Sequence, residues 1–256
     1  MIKVTEVAEE HILTHGATIH GFQSLDPAKQ CQTNGYYDPT GPIVQVFNAV
    51  QPRPGEPQKV AILGLGSGTL VCLKAPQRKF TYYEIDPVIL RIASNPKYFT
   101  YLSDCGEGTF DVVLGDGRLK ISEAEDQSYD LMMFDAFSSD AIPTHLLTKQ
   151  AVEIYLRKLK PDGVLLFHIS NRYLDLNPPL GKIAESLGLK ALGRVDSETD
   201  PKTGKLATVC LVMARNTEAF RGLDRDPVAP WSPVNVPTET KLWTDESSDL
   251  LSILRW

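Results

Sequence analysis

Basic stripes, cysteine motifs, a Walker lysine and long apolar runs are all missing from this chain, and each absence closes off a class of function. The 256 residues carry 26 Lys and Arg against 32 Asp and Glu, a net charge of −6. Binding a nucleic-acid backbone needs a basic stripe, so no nucleic-acid partner is expected, whereas a cationic substrate suits this balance. No apolar stretch approaches the roughly 20 residues of a membrane span, so no membrane insertion is expected. Cys31, Cys72, Cys105 and Cys210 are widely scattered, with no CxxC and no Cys/His cluster. That spacing indicates neither a metal site nor a disulfide framework. The opening stretch, MIKVTEVAEEHILTHG, carries acids early and lacks a long apolar core. It does not read as a signal peptide, and the reduced cytoplasm is the expected location.

What is present is an ordinary globular composition, 42% apolar and 23% charged. The length suits one sizeable α/β domain with a small appendage. Residues 1–57 read as a short β region, with hairpin material in HILTHGATIHGFQSLD and a linker in QPRPGEPQ. From 58 to 222, strand-like runs alternate with helical spacing. The runs are KVAILGLG, FTYYEID, FDVVLGD, YDLMMFD, VLLFHIS and LATVCLVMAR. Apolar residues recur at Leu147, Ala151, Ile154, Tyr155 and Leu159 with the period of a helix. Such alternation predicts a doubly wound α/β sheet. Residues 223–256 form a proline-rich tail, expected to pack near the site.

Chemistry-bearing residues fall at the carboxyl ends of consecutive runs, where open α/β sheets bind ligands. Gly64, Gly66 and Gly68 of LGLGSG make a tight turn that a ligand can approach closely. Glu84 closes the second run and can accept the hydroxyls of a ribose. Asp86 is expected to cap the helix opened by Pro87. Asp116 stands between glycines after the third run, placed for an adenine amino group or as a plain turn residue. Asp135 ends the fourth run, where a carboxylate is costly to desolvate and so needs a purpose. It can orient or deprotonate an attacking amine, and Phe134 and Phe137 beside it would raise its basicity. Asp140 fits a helix cap as well as it fits function. His168 reads either as a base or as a satisfied core histidine, and Asn171 and Tyr173 follow it.

This order of glycine turn, acid, and Asp after the third strand is the layout of class I S-adenosylmethionine-binding Rossmann-like folds. YYEIDP, GDGR and YDLMMFDAFSSDAIP further resemble the spermidine synthase (polyamine aminopropyltransferase) family. HGATIHG, HISNRYLDL and LWTDESSDLLSILR resemble its soluble domains found fused to transporter-type membrane domains. The resemblance implies a homodimeric aminopropyltransferase. Its co-substrate would be decarboxylated S-adenosylmethionine, or S-adenosylmethionine itself, with a small cationic amine as acceptor and no metal. It places the donor at Gly64, Gly66, Ser67, Gly68, Glu84, Asp116 and Gly117, and the catalytic role at Asp135. His20, Gln23, Asp140, Tyr173 and Asp245 become pocket candidates by analogy. The chain departs from the family at Ser67, where an Asp usually holds the aminopropyl ammonium, and at Ser138, where the second acid of a DSSD loop would stand. These departures keep open methyl transfer, carboxyaminopropyl transfer and a non-catalytic adenosyl-ligand or polyamine sensor. A nicotinamide dehydrogenase fits least, because the turn lacks GxGxxG spacing.

Overall fold

The apolar runs in the middle of the chain become inner strands because alternate residues of each find a core on either side. The computed structural model describes residues 1–16, 18–137 and 143–254. The chain opens with an antiparallel sheet of β1 (Ile2–Val7), β2 (Glu10–His15) and β3 (Thr18–Ser24), followed by α1 (Pro42–Ala49). Then come β4 (Gln58–Leu63), β5 (Arg78–Glu84), α2 (Pro87–Ala93), β6 (Phe110–Leu114), α3 (Gly117–Ser122), β7 (Tyr129–Phe134), α4 (Lys149–Lys158) and β8 (Leu159–His168). The chain ends with α5 (Asn177–Ser186), β9 (Lys190–Asp196), β10 (Thr208–Ala214) and a short β11 (Ser232–Pro233).

Eight strands form the large sheet in the order β11-β9-β10-β8-β7-β4-β5-β6. Strands β4 to β8 pair in parallel, and β10 runs antiparallel to both β8 and β9. The chain runs outward from β4 through β5 to β6, then returns to place β7 on the other side of β4. Such a reversal opens a crevice beyond the carboxyl ends of the two central strands. This is the doubly wound α/β architecture expected from the sequence.

Val60 and Ile62 of β4, Leu131 and Met133 of β7, and Val164 and Leu166 of β8 enter one core, which α1 and α2 cover with Ile43, Phe47 and Ala93. Their sequence neighbours Ala61, Leu63, Met132, Phe134, Leu165 and Phe167 enter a second core, covered from α3, α4 and α5 by Ile121, Tyr155 and Ile183. Burial on both faces explains why these runs are apolar throughout instead of alternating. Helix α4 is capped by Thr148, whose hydroxyl accepts from the Ala151 N–H at 3.2 Å. Strand β9 is not apparent from the sequence: KALGRVD carries only one buried residue, Leu192.

One expectation is corrected. Cys31 and Cys105 form a disulfide across 74 residues, tying the loop after β3 to the helical turn Tyr101–Cys105. A pair so distant in sequence leaves no local spacing pattern to read. Cys72 and Cys210 remain thiols. Among the described residues, no helix is long and apolar enough to cross a membrane.

Arg78, 4% exposed, joins the start of β5 to α1. Its guanidinium donates to the carbonyls of Leu73, Phe47 and Val50 and to the side-chain oxygen of Gln58, at 2.5 to 3.1 Å. Burial lowers its pKa to about 10. Replacement by Met would fill the space but remove the donor to the Leu73 carbonyl and the Gln58 side-chain oxygen, while the Phe47 and Val50 carbonyls keep the Gln51 and Gln58 amides. Arg78→Met is expected to destabilise the fold by about 3 kcal/mol, read from urea unfolding, since each buried unpaired polar group costs roughly 1–3 kcal/mol.

Candidate active site

A cavity of about 640 Å³ lies over the carboxyl ends of the central strands. Its floor comes from the β4, β5, β7 and β8 ends, and its roof from β1–β3 and the turn Gly35–Tyr37. The glycine turn after β4 makes this possible. Gly64 has φ +98°, and a Cβ there would lie 2.4 Å from the Asp135 carbonyl oxygen, so only glycine lets the two strand ends meet.

Glu84 is 7% exposed and lines the cavity. One carboxylate oxygen accepts from the Leu65 N–H at 2.9 Å and the other from the Asp86 N–H at 2.8 Å. Burial raises its pKa, against the lowering effect of these backbone donors. The two N–H groups fix the carboxylate and leave further acceptor capacity on both oxygens. Asp86 caps α2 as expected, accepting from the Val88 N–H at 2.8 Å. Asp116 caps α3 through the Leu119 N–H at 2.9 Å, and its other oxygen meets His145 Nε2 at 3.1 Å. Gly64, Gly66, Gly117 and His20 also line the wall.

Asp135 lies just beyond β7 and lines the same cavity. Its N–H continues the parallel ladder by donating to the Leu63 carbonyl at 2.9 Å. Its side chain is only 8% exposed, with one oxygen accepting from the Tyr37 hydroxyl and the other 2.7 Å from His168 Nδ1. Burial, reinforced by the adjacent Asp135 charge, pushes the Tyr37 phenol well above its ordinary pKa, so it remains a donor. Phe137 packs against the His168 ring at 5.0 Å. Phe134 does not flank the cavity: it is fully buried and stacks on Phe167 at 4.4 Å.

Several expected site residues stand elsewhere. Ser67 is 2% exposed and hydrogen-bonds Thr69 at 2.8 Å, away from the cavity wall. Gly68 packs toward Leu102. Gln23 is held by Gln30 and Thr100, donating to each at 3.0 Å. Tyr173 is 52% exposed, with the Arg172 guanidinium 5.7 Å from its ring centroid. Asp245 accepts two hydrogen bonds from Arg118 at 2.7 Å and one from Thr148 at 2.6 Å. Asp140 lies outside the described residues. Tyr37, His145 and Ser170 line the cavity but were not selected from the sequence. Tyr37 follows the turn signal Asn34–Gly35, but 98 residues separate it from Asp135. Among the described residues, no group of three or more His, Cys, Asp or Glu is arranged to hold a metal ion.

No family model matches the chain. The polyamine aminopropyltransferase of Vibrio vulnificus is 31% identical over 148 residues, covering 54% of this chain and 48% of that protein. Putrescine N-methyltransferase 2 of Nicotiana attenuata is 27% identical over 173 residues, covering 66% of this chain and 45% of that protein. The chain thus spans about half the length of these relatives. The crystal structure of a probable spermidine synthase from Corynebacterium glutamicum superposes with a TM-score of 0.64 at 16% identity, covering 97% of this chain and 94% of that one. The chain therefore has the Rossmann-like fold of that structure, and over part of its length it is similar in sequence to an aminopropyltransferase and to a putrescine N-methyltransferase.

The Arg118–Asp245 pair gives a pH test of how the tail is held. Hydrogen bonds from Arg118 and then Thr148 lower the Asp245 pKa from 3.8 to about 2. A depressed carboxylate pKa stabilises the fold fully above the unfolded value and loses that contribution as pH falls through the folded one. Urea unfolding of wild type and Asp245→Asn is expected to differ above about pH 4 and converge as pH approaches about 2.

Proposed function

We propose that the cavity binds an adenosyl sulfonium donor and that the protein transfers its aminopropyl group to a polyamine. Glu84 would hold the ribose hydroxyls and Asp116 the adenine amino group. The donor would be decarboxylated S-adenosylmethionine, and methylthioadenosine would leave. The amine lone pair attacks the carbon bound to sulfur, the C–S bond breaks with its electrons passing to sulfur, and the amine proton moves to Asp135. The sulfonium already activates that carbon, so the protein need only align the amine and remove a proton. The observation that carries this reading is Asp135 itself, a rigidly held carboxylate in the same cavity as Glu84 and Asp116. Likeness to a polyamine aminopropyltransferase supports it, with a small cationic amine as the acceptor.

A second reading, methyl transfer from S-adenosylmethionine, is favoured by Ser67. Its hydroxyl is engaged by Thr69, so this position of the glycine turn offers no carboxylate for an aminopropyl ammonium. A donor that keeps its own carboxylate would not need one. The relative named a putrescine N-methyltransferase also supports this reading.

Mass spectrometry separates the two. The protein is incubated with either donor against putrescine, cadaverine and spermidine. Methylthioadenosine with an amine heavier by one aminopropyl group is expected, while S-adenosylhomocysteine would select methyl transfer. Asp135→Asn is expected to lower turnover by about 100-fold or more. Full turnover in that variant would contradict the assigned role, and ligand binding with no turnover would move the weight to a sensor.

A further inference from the structure

We infer that His168 and Ser170 form a positioning relay behind Asp135, fixing the orientation of the carboxylate that meets the amine. This rests on the reading in which Asp135 meets the amine. His168 ends β8, lines the cavity, and has only 2% of its side chain exposed. Both ring nitrogens are engaged: Nδ1 with an Asp135 oxygen at 2.7 Å and Nε2 with Ser170 Oγ at 2.9 Å.

The direction of these bonds follows from the Asp135 end: a carboxylate oxygen accepts, so the proton between it and the imidazole sits on Nδ1. The Val209 N–H donates to Ser170 Oγ at 2.9 Å. That bond occupies one hydroxyl lone pair and leaves the hydroxyl proton available for His168 Nε2. With Nδ1 donating to Asp135, Nε2 of the neutral ring is the acceptor, and Ser170 supplies its hydroxyl proton to it. The bond made by one ring nitrogen sets the tautomer seen at the other. Asp135 consequently receives a donor on each oxygen, from His168 and from Tyr37. Each oxygen keeps acceptor capacity for the incoming amine.

Packing restrains the imidazole as well. The Tyr36 ring lies 5.1 Å from it and the Phe137 ring 5.0 Å. Across the ladder from β8, His168 faces Cys210 of β10, whose thiol is buried and pushed well above its ordinary pKa. A ring held by two hydrogen bonds and two aromatic neighbours has little freedom to turn. A satisfied core histidine would have its bonds, but would not link the backbone of β10 to the carboxylate of a cavity.

The test reads the tautomer directly and then its effect on turnover. Long-range ¹H–¹⁵N spectra of the imidazoles, with His168 assigned by loss of its signals in His168→Asn, are expected to show the Nδ1–H form. In Ser170→Ala the Nε2–H form is expected to gain population. With the donor and amine that turn over in the product assay, His168→Ala should lower kcat by about 100-fold, the scale of a misplaced reacting group. His168→Asn keeps an amide N–H where Nδ1 stood and should recover at least about tenfold of that loss, worth roughly 1.4 kcal/mol. Methylthioadenosine affinity should change less than about twofold in either variant, because the relay does not touch the donor side.

An Nε2–H tautomer in the wild type overturns the relay whether or not turnover has been detected. So does a folded His168→Asn variant as slow as His168→Ala, or a His168→Ala variant as fast as wild type. If Asp135→Asn is inactive while His168→Ala is unimpaired, only the relay fails. If Asp135→Asn is fully active, the underlying reading fails instead.

Discussion

The turn after β4 presses its backbone against two other backbones, and the cavity exists because it can. At Gly66, φ is +54°, and a Cβ would sit 2.7 Å from the His20 carbonyl oxygen of β3. A real side chain there would push the amino-terminal sheet off the crevice. Gly64 imposes the same condition toward the end of β7. The turn is thus pinned between β3 above and Asp135 beside it. Glu84 adds a third constraint by accepting the Leu65 N–H within the same turn. Roof, floor and acidic edge of the cavity are therefore coupled through about three residues of backbone. Weakening any one contact would loosen the others, which fits the interior-like packing of the strands below.

Within that frame, polar groups are distributed unevenly. Glu84 is fixed by two backbone N–H groups, and Asp116 by the helix it caps and by the His145 ring. Asp135 has no helix to cap. Its side chain is held by Tyr37 and His168, which come from distant parts of the chain. A carboxylate 8% exposed and satisfied by two side-chain donors is a built feature, since leaving it without them would cost several kcal/mol. Backbone donors thus dominate at Glu84 and side-chain donors at Asp135.

Much of the fold was legible because both faces of the sheet are buried. Unbroken apolar runs such as Leu131 to Phe134 identified strands without any need for alternation. The acids at their ends marked the ligand side, since Glu84, Asp116 and Asp135 interrupt apolar sequence where only function or capping explains them. What stayed hidden depends on tertiary contact. Tyr37 and Ser170 carry no pattern that points to Asp135 or His168. The Cys31–Cys105 bond joins segments 74 residues apart. Strand β9 was missed because its partially exposed edge lacks an apolar run. Family analogy also overreached where it carried side chains by position: Ser67, Gln23 and Asp245 are each taken up by neighbouring protein groups, so position in a motif did not determine where the side chain faces.

The measurement with most bearing on this view is calorimetric titration of the protein with methylthioadenosine, S-adenosylhomocysteine and S-adenosylmethionine, repeated with Glu84→Gln. Binding of the adenosyl compounds is expected, with affinity reduced about tenfold or more in the variant, as befits loss of a charge-assisted hydrogen bond to the ribose. No binding of any of the three by folded protein, or equal affinity in Glu84→Gln, would contradict a nucleoside site at the ends of β4 and β5.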